Sequence, residues 1–140
     1  MIKRAVLGGL IGLMLATQAA GETPRRIVSF NLCSDQLLVA LADPEQIAGL
    51  SPYAIDKGLS VVSDKARGFP RLDWTAESVV NLAPDLVFIG PTARPTQAML
   101  TAMGIRVANV ALVGDFAEAR RQAREFGALV GHPERGEALA

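Results

Sequence analysis

Cysteine and histidine each occur once in the 140 residues, as Cys33 and His132. A single cysteine excludes an internal disulfide framework, and one of each comes close to excluding a zinc site built from protein Cys and His alone. Net charge is equally scarce, because 14 Lys plus Arg offset 14 Asp plus Glu. A chain with no basic excess lacks the electrostatic footprint of a nucleic-acid binder, so no nucleic-acid partner is expected. There is no G-x-S-x-G, no P-loop, no internal repeat and no low-complexity stretch. What the chain has in quantity is apolar side chains, 50% of the total against 20% charged. That balance is too hydrophobic for a disordered chain, and the length suits one domain.

The first twenty residues read as a leader rather than as part of a fold. Lys3 and Arg4 are followed by Ala5 to Ala16, twelve residues without a charge, and then by Thr17-Gln18-Ala19-Ala20-Gly21. A basic start, an apolar core and a small-residue exit describe a secretory signal peptide, with cleavage expected after Ala19 or Gly21. The competing reading is a membrane anchor, but Thr17 and Gln18 interrupt the run before the ~20 apolar residues that span a bilayer. Gly8, Gly9 and Gly12 are no dinucleotide loop, since no strand precedes them. Cleavage leaves twelve basic against fourteen acidic residues, a mildly acidic exported chain.

Short apolar runs alternate with helical patterns along the remainder. Ile27 to Phe30 reads as a buried strand. Asn31 and Ser34 are candidate N-caps for a helix through Leu37, Leu38 and Leu41, which Asp43-Pro44 stops. Ile47 to Leu50 is a weaker strand. Residues 54–73 read mostly as loop, with a short strand near Val61-Val62. Thr75 caps a helix with Val79, Val80, Leu82 and Ala83 on one face, ended by Pro84. Leu86 to Gly90 is a strand, Thr96 to Met103 a helix stopped by Gly104, and Arg106 to Ala111 another strand. Asp115 opens a long helix with Phe116, Ala119, Ala123, Phe126 and Val130 on one face, and with Arg120, Arg121 and Arg124 on a solvated one. After a break at Gly131-His132-Pro133-Glu134, Arg135 to Ala140 begins a further helix. Strands alternating with helices predict an α/β fold with a doubly wound, mostly parallel sheet. The expected divisions are a signal peptide over 1–20, a lobe over 21–131, and over 132–140 the start of a helix belonging to a longer protein rather than a frayed tail.

Ligands of open parallel sheets bind outside the carboxyl ends of the strands, which selects four loops. These hold Asn31 and Cys33, then Ser51 and Tyr53, then Thr92 and Arg94, and finally Val113-Gly114-Asp115. Together they offer one aromatic, one cation, hydroxyls, amides and helix-start N–H groups, a set suited to an anionic, partly apolar ligand. No catalytic constellation is evident. His132 reads as an exposed loop histidine rather than a base, and Cys33, without a His partner, as a small buried thiol rather than a nucleophile. Asp35, Asp64 and Asp73 show no motif spacing and read as solvated or capping carboxylates. No metal site is expected.

Three segments carry a resemblance. Arg26 to Asn31 resembles the first strand and loop of periplasmic binding proteins for ferric siderophores, haem and vitamin B12. Pro44 to Ser51 is similar to that family's second strand. Thr75-Ala76-Glu77-Ser78-Val79-Val80-Asn81-Leu82-Ala83-Pro84-Asp85-Leu86-Val87 is similar to its helix, Pro-Asp turn and strand. The resemblance implies one Rossmann-like lobe of a two-lobed protein, with residues 132–140 opening the joining helix. It further implies a periplasmic, monomeric component of an ABC importer that takes up a metal chelate without a cofactor of its own or covalent chemistry. Tyr53 then matches a cleft aromatic of vitamin B12-binding members, and Asn31, Cys33, Ser51, Thr92 and Arg94 fall in cleft loops. Glu77 matches the acid that pairs with arginines of the inner-membrane permease. A small exported α/β enzyme and a single-lobe interaction protein are the competing functions.

Overall fold

The computed structural model describes residues 22–73 and 75–140, so the expected leader and its cleavage positions lie outside the described residues. Four strands, β1 (Ile27–Ser29), β2 (Ile47–Gly49), β3 (Leu86–Ile89) and β4 (Arg106–Asn109), form one sheet of order β2-β1-β3-β4. Every pairing in it is parallel. Among the described residues six α-helices accompany the strands: α1 (Leu32–Leu41), α2 (Ser63–Ala66), α3 (Ala76–Val80), α4 (Arg94–Ala102), α5 (Phe116–Leu129) and α6 (Pro133–Leu139).

The period-2 alternation of strand side chains explains the two core layers. Ile27, Leu86 and Phe88 point to the layer that contains Leu38 and Leu41 of α1 and Phe126 of α5. Val28, Val87 and Ile89 point to the opposite layer, with Val79 of α3 and Leu100 of α4. Because both faces are covered, the central strands can be apolar at nearly every position, which is what made them legible as buried runs. Phe126 stacks on Phe88 with ring centroids 4.0 Å apart.

Local capping positions three of the helices. The side chains of Asn31, Thr75 and Asp115 accept the backbone N–H of Ser34, Ser78 and Glu118 at 3.1, 3.2 and 2.8 Å. The Pro84-Asp85 turn has a tertiary task as well. The Asp85 carboxylate accepts the N–H of Arg25 at 2.7 Å, while the Arg26 guanidinium donates to the carbonyl of Leu82 at 2.6 Å. The turn entering β3 thereby holds the chain entering β1.

Several expectations are corrected. No strand forms at Val61-Val62: Val61 is 90% exposed, and the segment turns, with Ala66 N–H donating to Val62 O at 2.9 Å. Two adjacent valines without a neighbouring strand offer too few pairing partners to hold an extended segment. Helix α3 ends at Val80 rather than running through Ala83, which adopts φ 45°. Helix α4 begins at Arg94, two residues earlier than expected, because Pro95 suits the first turn of a helix. On α5 the expected apolar face is only partly used, since Ala123, Phe126 and Val130 are buried while Phe116 is 85% exposed. The last helix begins at Pro133 and packs on α5, whereas the sequence placed its start at Arg135.

Candidate functional site

The strand order reverses direction between β1 and β3: from β1 the chain moves outward to β2, and from β3 outward to β4. In a doubly wound sheet the crevice outside the carboxyl ends of such a pair is the natural binding position. Here the loops leaving β1 and β3 meet, for a Cβ placed on Gly90 would lie 3.8 Å from Asn31 Nδ2. Asn31 spends its side-chain oxygen on the α1 cap. Its Nδ2 is buried and has no hydrogen-bond partner. A buried donor left unmet costs about 1–3 kcal/mol, so this one marks a place where an acceptor would be welcome.

Beside Asn31 lies a buried polar network. The hydroxyls of Ser29 and Ser34 are 2.7 Å apart, and that of Ser34 also donates to Asn31 O at 3.0 Å. Asp35 is fully buried and accepts from Ser51, from the N–H to Oδ1 at 3.0 Å and from the hydroxyl to Oδ2 at 2.5 Å. Burial pushes the Asp35 carboxyl above its ordinary range, while hydrogen bonds from Ser29 and Ser51 hold it back. Reading Asp35 as a solvated or capping carboxylate was therefore wrong. Its partners lie on β1 and beyond β2, and neither is visible from local spacing.

The remaining sequence-selected residues lie on the segments that follow β1, β2 and β3. Ser51 is buried and Tyr53 is 47% exposed on the short 3₁₀ turn Pro52–Ile55 that follows β2. Cys33 is exposed on the first turn of α1, contrary to the buried thiol expected. A position in the first turn of α1 that is turned away from the core accounts for this, the core side being taken by Ser34 and Asp35. Thr92 is an exposed loop residue, and Arg94 is an exposed side chain on the first residue of α4. The structure thus joins the Asn31 and Gly90 loops directly, and joins Ser51 to α1 through Asp35. Glu77 is exposed in the first turn of α3.

The C-terminal break is also more organised than the sequence suggests. His132 is not an exposed loop histidine: its side chain is 18% exposed, with Nε2 3.0 Å from Asp43 Oδ2. Arg135 reaches the other oxygen of the same carboxylate at 2.7 Å and donates to Leu41 O at 3.0 Å. Asp64 and Asp73 behave as expected of surface acids. The first pairs with Lys57 and Arg67, and the second accepts from Thr75. Among the solvated arginines of α5, Arg124 is bridged to Glu137 of α6 at 2.6 Å. Among the described residues no group of three or more His, Cys, Asp or Glu could hold a metal ion, and no helix is long and apolar enough to cross a membrane.

The profile of a family described as "Periplasmic binding protein" matches residues 27–140. Among solved structures, a periplasmic heme binding protein from Pseudomonas aeruginosa is similar with a TM-score of 0.69 at 22% identity, over 82% of this chain and 41% of that one. A possible iron-binding periplasmic solute-binding protein from Staphylococcus epidermidis gives 0.70 at 20% identity, over 84% and 46%. The periplasmic vitamin B12 binding protein of Vibrio cholerae gives 0.66 at 18% identity, over 83% and 44%. At these identities the likeness establishes the fold, and the chain spans less than half the length of each. No curated protein sequence matches it.

Proposed function

We propose that this chain, which belongs to the periplasmic binding protein family, supplies one wall of a ligand cleft in a substrate-binding component of an ABC importer. Its cargo class is a metal chelate: a ferric siderophore, haem or a corrinoid. The observation that carries this reading is the unmet, buried Asn31 Nδ2 at the junction of the β1 and β3 loops. A chelate rich in carboxylate or carbonyl oxygens offers the acceptor that this donor lacks. Tyr53 supplies an aromatic face for a flat macrocycle, with Cys33, Ser51, Thr92 and Arg94 at the surrounding loops. The similar solved structures include a heme-binding and a vitamin B12-binding protein, which supports the same cargo class.

The mechanism is capture and release without a covalent step. Export by the leader places the protein in the periplasm, where it works as a monomer. Glu77, exposed in the first turn of α3, is the contact for an arginine of the permease.

Isothermal calorimetry with hemin, cyanocobalamin and a ferric hydroxamate tests the reading. Saturable binding to one of them is expected, weakened about 2–10-fold in Tyr53→Ala, the loss of ~0.5–1.5 kcal/mol of ring stacking. Absence of binding to all three, together with turnover of ester or phosphate substrates, would replace the binding function with an enzymatic one.

A further inference from the structure

We propose that Asp35 is a positioning residue: its buried carboxylate locks the Ser51–Tyr53 turn to the first turn of α1 and so sets the placement of the Tyr53 ring. For ligand affinity this rests on the binding function above. As a statement about the turn it stands on geometry alone.

Every polar group of Ser51 is engaged. Its N–H and hydroxyl both donate to Asp35, and its carbonyl accepts Ala54 N–H at 3.1 Å. Pro52 then restricts the backbone immediately before Tyr53. Ser51 is consequently a fixed point from which a stiff two-residue arm carries the ring. The fixed point is tied through Asp35 to α1, the helix whose N-cap is Asn31. Asn31 and Tyr53 leave different strands, yet both take their position from one helical turn.

A carboxylate is the group this task needs. Both Ser51 atoms are donors, and an ionised carboxylate only accepts. An asparagine would turn an NH2 toward one of them. An apolar pair would serve stability at least as well as a buried acid, which pays for its desolvation. The carboxylate therefore fits a need for orientation better than a need for packing. Around it lie the hydroxyls of Ser29 and Ser51 and the Ser51 N–H. The charged groups of the Tyr53 turn itself are Asp56 and Lys57, both exposed.

Tyr53 is the sole tyrosine of the chain, so ring-13C-labelled tyrosine reports on this turn alone. In the full chain, its resonances are expected to move in one step on acidification, together with the Asp35 carboxyl resonance, and to keep that step in Asp56→Asn. In Asp35→Asn the step should vanish while unfolding stays cooperative. Resonances that ignore the Asp35 titration, or that keep the step in Asp35→Asn, overturn the proposal. If Asp35→Asn does not fold, Ser51→Ala decides: a shifted Tyr53 resonance with a weakened step supports the lock, and an unchanged one refutes it. With hemin as probe, Asp35→Asn should weaken binding in the natural chain by at most the ~2–10-fold of Tyr53→Ala, and should leave it unchanged in a Tyr53→Ala background. Equal losses in both backgrounds would make Asp35 a general structural residue. Failure of the natural chain to bind hemin bears on the binding function, and the resonance measurements still decide the lock.

Discussion

Gly127 of α5 and Gly136 of α6 cross backbone against backbone: a Cβ on Gly127 would lie 2.7 Å from the Gly136 Cα and 2.8 Å from the His132 carbonyl oxygen. No side chain fits between the two helices at this point. Gly127→Ala must therefore push α6 away, at a cost of about 1–3 kcal/mol for overpacking. A urea titration should show the lower midpoint. Hydrogen exchange should show the loss of protection concentrated in α6. An unchanged midpoint would mean that the helices separate freely.

The stacked pair Phe88–Phe126 predicts a larger effect. Both rings are almost fully buried between the sheet and α5. Phe126→Ala leaves a cavity against β3 and should cost ~3–5 kcal/mol. That is a large part of the ~5–15 kcal/mol by which a domain is stable. Thermal unfolding followed by circular dichroism checks this, and a loss below 1 kcal/mol would contradict the packing described.

Stability should depend on pH with two opposite slopes. The Arg135 guanidinium holds the Asp43 carboxyl below its ordinary value of 3.8, the Thr75 hydroxyl does so for Asp73, and Arg124 lowers Glu137 below 4.5. Each of these contributes stability that is present above its unfolded value and lost as pH falls through the lower folded one. Asp35, raised by burial, has the reverse sign. Its cost is full above the raised value and is relieved as pH drops toward 3.8. Urea midpoints should rise as pH falls from the raised Asp35 value toward 3.8 and then fall modestly, because the three paired carboxylates are solvent-exposed. Asp35→Asn should flatten the first limb, and Asp43→Asn with Glu137→Gln should soften the second. A midpoint that falls monotonically from pH 7 would remove Asp35 from this role.

Glu77 is exposed and its carboxylate stands in the first turn of α3. Glu77→Lys should cost only ~0.3–1 kcal/mol, by reversing a charge that favours a helix start. Ligand affinity should stay the same while importer-dependent uptake falls, since rim charges govern the rate and salt dependence of association. Parallel loss of affinity and uptake would move Glu77 into the cleft, and loss of neither would leave it a helix-start residue.

What the sequence determined by itself is what short-range physics decides. Ile27 to Ser29 and Leu86 to Ile89 are apolar at nearly every position, which suits only strands covered on both faces. Asn31, Thr75 and Asp115 cap helices through bonds that span three residues. Those signals sufficed for the α/β class, the parallel sheet and the four loops at its carboxyl edge. Where the signal was short and unsupported, as at Val61-Val62, local pattern misled, because an extended pair needs a neighbouring strand that only the sheet can supply.

The tertiary structure alone decided which loop residues act together. Asp35 acquires its partner Ser51 from 16 residues away, and His132 finds Asp43 across 89. Asn31 meets Gly90 only because β1 and β3 are neighbours in the sheet. Burial reverses the meaning of such residues: the same aspartate is a solvated cap in an isolated helix and a desolvated acceptor once the β2 loop closes over it. Composition and spacing carry no record of that closure, since it depends on which strands pair, and pairing is settled by the packing of the whole sheet.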